Sequence, residues 1–110
     1  DYLKYFPTTD LAPNAQFYVG MIHYDRGEIE AAITAFDVVL EKFPENSKTA
    51  DALYMKGMSL VKNNQRTAAA QEFREVIKRF PRSDAAEKSR ERLKAMGLSA
   101  APARTATKKR

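Results

Sequence analysis

The sequence predicts an all-α solenoid made of two helical hairpins, a capping helix and the stub of a preceding helix. The dipeptide Phe-Pro begins at Phe6, Phe43 and Phe80, so that it recurs every 37 residues. A fixed period of roughly 20 to 50 residues is typical of solenoids. Within each unit, apolar residues recur at helical spacing. A chain of 110 residues has room for one such domain.

Residues 11–26 are predicted to form the first helix of the first unit. Asp10 is expected to cap it, and Pro13 lies near its start, where proline is tolerated. Gly27 follows where the chain must turn with a positive φ angle. The equivalent residue of the second unit is Asn64, which also accepts this conformation, so both hairpins are expected to turn in the same way.

The second helix of each unit, predicted over residues 28–43 in the first, carries one continuous apolar stripe. The stripe is Ala32, Phe36, Val39 and Phe43 in the first unit and Ala69, Phe73, Val76 and Phe80 in the second. Pro44 and Pro81 are expected to end these helices, because proline disfavours helical geometry in the residue before it.

The remaining elements complete the solenoid. Ser47 and Asp84 are expected to cap the helices that follow them, and the helix over 84–96 is expected to end at Gly97. Residues 1–6 resemble the last turn of a preceding helix. The predicted domain therefore spans 1–98, with repeats at about 7–43 and 44–80 and a partial repeat at 81–97, followed by a disordered basic tail at 99–110.

The net charge of +5 is unevenly distributed along the chain. The tail has four bases and no acid, residues 1–46 have three bases against eight acids, and residues 47–98 have twelve bases against six acids. The repeat domain is thus an electrostatic dipole, which would favour head-to-tail self-association. Nucleic-acid binding is disfavoured, because the domain has no basic stripe interleaved with aromatic residues.

The composition argues against enzymatic, metal and cofactor chemistry. The chain has no cysteine, and His23 is its single histidine, so we interpret His23 as a packing or rim residue. The acids Asp25, Glu28 and Glu30 straddle a turn, where charges are normally hydrated. No apolar run is long enough to span a membrane, and the first residues do not resemble a signal peptide. Because the sequence does not begin with Met, the chain is interpreted as an excised or processed fragment.

Small and aromatic residues at fixed places make the sequence resemble the tetratricopeptide repeat family. In that family a small residue of the first helix packs on a small residue of the second, followed by an aromatic residue and a proline. The matching positions are Gly20, Ala32, Phe36 and Pro44, and then Gly57, Ala69, Phe73 and Pro81. Three features depart from the family pattern: the longer period, Gln16 and Leu53 at its early aromatic position, and His23 and Leu60 at its late tyrosine.

A narrower resemblance is carried by residues 5–7, 11–20 and 78–81, which are similar to the C-terminal domain of the Tol-Pal system proteins, the periplasmic cell-division coordinators. It implies a periplasmic, non-enzymatic scaffold that binds the envelope protein TolA. The repeat lipoprotein of the outer-membrane β-barrel assembly machine has similar spacing and is the alternative.

A partner is expected on the first helices of the repeats, which line the inner surface of such a superhelix. The predicted groove residues are Asn14, Phe17, Met21, Tyr24, Asp51, Tyr54, Met58, Val61 and Lys62. Methionines and tyrosines on a solvent-facing stripe suit an apolar peptide or helix. The alternative is that these side chains only pack against neighbouring helices. The hypotheses are therefore a peptide-binding module, a self-associating structural module and, least favoured, a nucleic-acid binder.

Overall fold

The computed structural model describes residues 12–44 and 46–100, which form five α-helices and no strand. The helices are α1 (Pro13–Asp25), α2 (Ile29–Lys42), α3 (Ser47–Lys62), α4 (Arg66–Arg79) and α5 (Asp84–Ala95). The predicted all-α solenoid is confirmed. The predicted helix stub at 1–6 and the predicted tail beyond residue 100 lie outside the described residues.

The first helix of each unit ends in the same left-handed turn. Gly27 has a φ of 79° and Asn64 of 63°, as the sequence predicts, and Gly97, where the last helix is expected to end, has a φ of 78°. After α1, the backbone N–H of Glu28 donates to the carbonyl of His23 at 2.9 Å. Equivalent bonds close α3 and α5, so carbonyls that a helix end would leave unpaired are satisfied.

The second helices end at the predicted prolines. Phe43 and Phe80 leave helical geometry, with φ angles of −133° and −132°, directly before Pro44 and Pro81. The near-identical angles show that the period of the sequence is also a period of the backbone.

The cap of α3 differs from the prediction. Ser47 is the first residue within the helix, and the residue before it, Asn46, is the N-cap in extended geometry. The Asn46 side chain accepts a hydrogen bond from the backbone N–H of Lys48 at 2.9 Å, while its own N–H donates to the Thr49 hydroxyl at 3.1 Å. The Thr49 hydroxyl in turn donates to the Phe43 carbonyl, which ties the cap to the end of α2.

The cap of α5 is shifted in the same way. Ser83 is the N-cap in place of Asp84, and its hydroxyl accepts a hydrogen bond from the Ala86 N–H at 3.0 Å. Asp84 lies in the first turn, where its charge favours the helix dipole. Ala12 precedes α1 without a side-chain cap, and the predicted cap Asp10 lies outside the described residues.

The core follows the predicted stripes. In α2 and α4 the six residues nearest the hairpin partner have no exposed surface: Ala32, Phe36, Val39, Ala69, Phe73 and Val76. Phe43 and Phe80, at the ends of the stripes, are half-buried. Each fully buried phenylalanine contributes about 1.5–3 kcal/mol relative to an exposed one, so the two rings anchor the two hairpins.

Each hairpin closes where a glycine meets one of these rings. A Cβ atom on Gly20 would lie 2.5 Å from Cε1 of Phe36, and one on Gly57 would lie 2.6 Å from Cε1 of Phe73. The sequence predicts close approach of Gly57 to Ala69. The structure shows that the ring of Phe73 is what excludes a side chain at Gly57.

The helices stack in two layers. Each helix packs on the next one along the chain, and α1 also contacts α3, as α3 contacts α5. The helices α1, α3 and α5 therefore form one layer and α2 and α4 the other. In repeat solenoids such a continuous layer provides an extended binding surface.

Candidate partner-binding groove

The layer of α1, α3 and α5 carries a row of half-buried apolar and aromatic side chains. We call this row the inner groove; it consists of Met21, Tyr24, Tyr54, Met58 and Val61. The two α1 residues pack against the cluster around Phe36, and the three α3 residues pack against the cluster around Phe73. Each side chain thus rests on the core and leaves part of its surface open.

The groove combines one tyrosine ring in a fixed position with flexible methionine side chains. The rings of Tyr54 and Phe73 lie 5.6 Å apart at an angle of 45°, which fixes the position of the tyrosine. Met21 and Met58 are flexible and polarisable, and can repack around different apolar partners. This arrangement fits a segment with apolar side chains.

The polar residues predicted for the groove lie at its ends. Asn14 is exposed in the first turn of α1, and Lys62 is exposed at the last residue of α3. Asp51, in the first turns of α3, forms a 3.7 Å ion pair with Lys48. These side chains border the row on the same helices.

Phe17 does not belong to the open surface. Its side chain is only 7% exposed, and its ring packs 5.7 Å from that of Phe36. The Lys48 ammonium lies 4.9 Å from the centre of the Phe17 ring and covers it from α3. The prediction of a solvent-facing Phe17 is corrected, because the neighbouring hairpin covers this ring.

Cations line the groove between successive helices. Lys62 of α3 lies 5.2 Å from the ring centre of Tyr24 on α1. Lys88 of α5 lies 5.7 Å from the ring centre of Tyr54 on α3. Both distances are within the range of cation–π attraction, so each lysine joins two helices of the inner layer.

Arg92 of α5 is the electrostatic neighbour of both groove tyrosines. Burial raises the pKa of Tyr24 and of Tyr54, and the positive charge of Arg92 opposes both shifts only in part. At neutral pH both side chains therefore keep their O–H groups. Neither hydroxyl has a hydrogen-bond partner among the described residues, so both remain available as donors.

Sequence reasoning missed Lys88 and Arg92, because it stopped at the second repeat. Lys88 lies one repeat period of 37 residues after the predicted groove residue Asp51, so the repeat register could have placed Lys88 on the inner layer. The register gives no such signal for Arg92, whose equivalent, Met55, packs against the core. Its place beside the two tyrosines depends on how α5 packs on α3.

The acidic turn between α1 and α2 is a separate feature. The ring Nδ1 of His23 lies 2.7 Å from a carboxylate oxygen of Glu28, and Arg26 lies 3.4 Å from the other oxygen. The hydrogen bond from His23 lowers the pKa of Glu28. Across residues 12–44 and 46–100, no three His, Cys, Asp or Glu side chains are placed to hold a metal ion, and no helix is long and apolar enough to cross a membrane.

A surface depression of about 850 Å³ lies on the other layer. It is lined by residues of α4 and by Ala100: Thr67, Gln71, Glu72, Arg74, Glu75, Ile77, Lys78 and Ala100. The Arg74 side chain donates to the Ser99 carbonyl at 3.1 Å, so part of this surface holds the chain that follows α5.

The sequence model of the family YfiO, described as outer membrane lipoprotein, matches residues 1–101. The match supports a tetratricopeptide-type repeat domain and does not support the narrower resemblance to the Tol-Pal system proteins. No curated protein matches the chain.

Proposed function

The chain belongs to the YfiO family of outer membrane lipoproteins, and we propose that it is a non-enzymatic repeat domain that holds a segment of an envelope protein in the inner groove. The observation that carries the proposal is the row of half-buried apolar and aromatic side chains on the layer of α1, α3 and α5. Because helices α2 and α4 bury the hairpin core, this row is left open to a partner.

Within this proposal, the partner system is the outer-membrane β-barrel assembly machine. The family match over 1–101 supports this alternative better than the Tol-Pal scaffold and its partner TolA. A location in the cell envelope follows from the same match.

The chemistry of the groove supports binding to a peptide segment. Met58 and Val61 offer apolar contact beside Tyr54, whose ring and hydroxyl can serve different parts of a segment. Catalysis has little support, since His23 is engaged by Glu28 on the turn and lies outside the inner groove.

The test is affinity capture from a Gram-negative envelope extract with three baits. These are the native domain, a groove variant (Tyr54→Ala/Met58→Ala) and a matched variant of the other layer (Thr67→Ala/Gln71→Ala). We expect subunits of the β-barrel assembly machine with the native and matched baits and their loss with the groove variant. Equal recovery by all three baits would refute binding in the groove, and recovery of TolA alone would refute the choice of system.

Self-association is a second candidate, favoured by an exposed face of α1. Tyr18 and Ile22 are 54% and 56% exposed. Of their equivalents one period later, Met55 packs against the cluster around Phe36 of the preceding hairpin, and Ser59 is buried. This face of α1 could therefore receive the end of another repeat array. Sedimentation velocity at rising concentration tests it: mass that increases in the native domain and not in Ile22→Gln supports stacking, and a constant monomer mass excludes it.

A further inference from the structure

We propose that the inner groove selects an acidic segment and binds one of its Asp or Glu side chains between Tyr24, Tyr54 and Arg92. This inference rests on the proposed function and specifies the chemistry of the partner. Three helices each contribute one of the three groups, so the site exists only where α1, α3 and α5 are stacked.

Arg92 is the strongest part of the argument. Its Nε atom is buried and has no hydrogen-bond partner, and Arg92 forms no ion pair with any residue that the structure describes. The protein therefore supplies no acceptor for the buried part of this guanidinium, and the half-buried Arg92 side chain keeps a positive charge without an internal counter-charge. A carboxylate matches a guanidinium both in charge and in the geometry of its two oxygens.

The two tyrosines add donors of the right kind. A tyrosine hydroxyl is protonated at neutral pH, and burial raises the pKa of both groups further. Neither hydroxyl has a partner within the described ranges. An O–H donor and a guanidinium both prefer an anionic acceptor to a neutral one. In the proposed site these donors and Arg92 would favour a carboxylate over a neutral amide.

Two lysines at the groove extend its preference for acidic side chains along the bound segment. Lys62 and Lys88 contact tyrosine rings and have no acidic partner among the described residues. Other lysines of α3 are paired, since Lys56 lies 2.8 Å from Asp37 and Lys48 lies 3.7 Å from Asp51. Among the lysines of α3, the one without an acidic partner in the described residues is therefore Lys62, beside Tyr24.

Two carboxylates of the protein lie near the site and do not occupy it. Asp25 acts on Tyr24 and Glu91 acts on Tyr54, each as a weaker influence than Arg92. Both are exposed, whereas Arg92 is half-buried, so solvent screens the two acids more strongly than the arginine. Among the charges that act on the two tyrosines, the positive charge of Arg92 is therefore the strongest.

The test is selection from a library of acetylated, amidated peptides on the immobilised full chain. Each position varies among Glu, Gln, Leu and Lys, and the blocked ends remove terminal charges, so only side-chain carboxylates are read. We expect enrichment of Glu over Gln beside Leu. A selected peptide is expected to bind Arg92→Gln about tenfold or more weakly and Tyr54→Phe measurably more weakly. The matched control is Lys94→Gln, the loss of an exposed charge on the same helix, which should retain the affinity.

The outcomes separate the two proposals. Peptides that bind without a preference for Glu, or that bind Arg92→Gln as tightly as the native chain, would overturn the acidic site and leave the groove intact. Selected peptides that bind the Tyr54→Ala/Met58→Ala variant equally well would overturn the groove itself, as would a library with no binder. If Arg92→Gln melts at a lower temperature than the native chain, Tyr54→Phe decides, because it removes only the hydroxyl.

Discussion

The substitution Gly57→Ala is expected to destabilise the protein, although alanine is the better helix former. The new Cβ would lie 2.6, 2.9 and 3.0 Å from three atoms of the Phe73 ring. That ring has no exposed surface, so it cannot move aside into solvent. The hairpin of α3 and α4 must therefore open, or the ring must leave its preferred position.

Two opposing effects set the size of the stability change caused by Gly57→Ala. Replacing glycine by alanine within a helix gains about 1 kcal/mol from backbone propensity. Overpacking of a filled core costs about 1–3 kcal/mol and occasionally more. Because ordinary contact needs about 3.4 Å or more, the ring must shift by several tenths of an ångström, and we place the cost at the upper end of this range. The expected net loss is about 1–2 kcal/mol, which lowers the Tm by roughly 4–16 °C for a domain of this size.

The assay is urea denaturation of four proteins: native, Gly57→Ala, Phe73→Leu and the double variant. Phe73→Leu alone should cost about 1–3 kcal/mol through the cavity that it leaves. In the double variant the smaller side chain relieves the clash, so the two losses should be less than additive by about 1 kcal/mol. Strict additivity, or a Gly57→Ala protein more stable than the native one, would refute the close approach of Gly57 to the ring.

Three further predictions concern stability. Gln16→Leu should stabilise the protein by about 1 kcal/mol in thermal melts, because the buried Gln16 carbonyl oxygen has no partner and the equivalent Leu53 is buried in the core; a lower Tm would contradict this. Asn46→Ala should cost about 1 kcal/mol through loss of the α3 cap, and an unchanged denaturation midpoint would show that the cap is unimportant. Glu72→Gln should raise the Tm at about pH 7 and lose this advantage near about pH 4. Burial, opposed in part by Lys56, raises the pKa of Glu72. The native folded state is therefore penalised only at a pH where the Glu72 carboxyl is ionised. An advantage that grows on acidification would reverse the sign and refute this explanation.

The fold could be predicted because the repeat encodes it locally. The stripes of α2 and α4, the positive φ angles at Gly27 and Asn64 and the prolines after each hairpin all follow from spacing and residue type. The helix caps were wrong by one residue at α3 and α5. Each helix start has two adjacent residues able to cap, and only the backbone geometry determines which of them does so.

The groove could be predicted only in part. The helical period places Met21, Tyr24 and Met58 on one layer, as the structure shows. It does not reveal that Lys48 of the next hairpin covers Phe17, or that the charge of Arg92 acts on tyrosines of two other helices. Both facts depend on contacts between repeats, which a period within the sequence does not specify.

Photo-crosslinking in living Gram-negative cells tests the central claim most directly. A photoreactive benzoylphenylalanine replaces Met58 in the inner groove in one protein and Gln71 on the other layer in a second. We predict that position 58 crosslinks to a subunit of the β-barrel assembly machine and that position 71 does not. Equal crosslinks at both positions, or crosslinks at position 71 alone, would contradict the assignment of the inner groove as the binding surface.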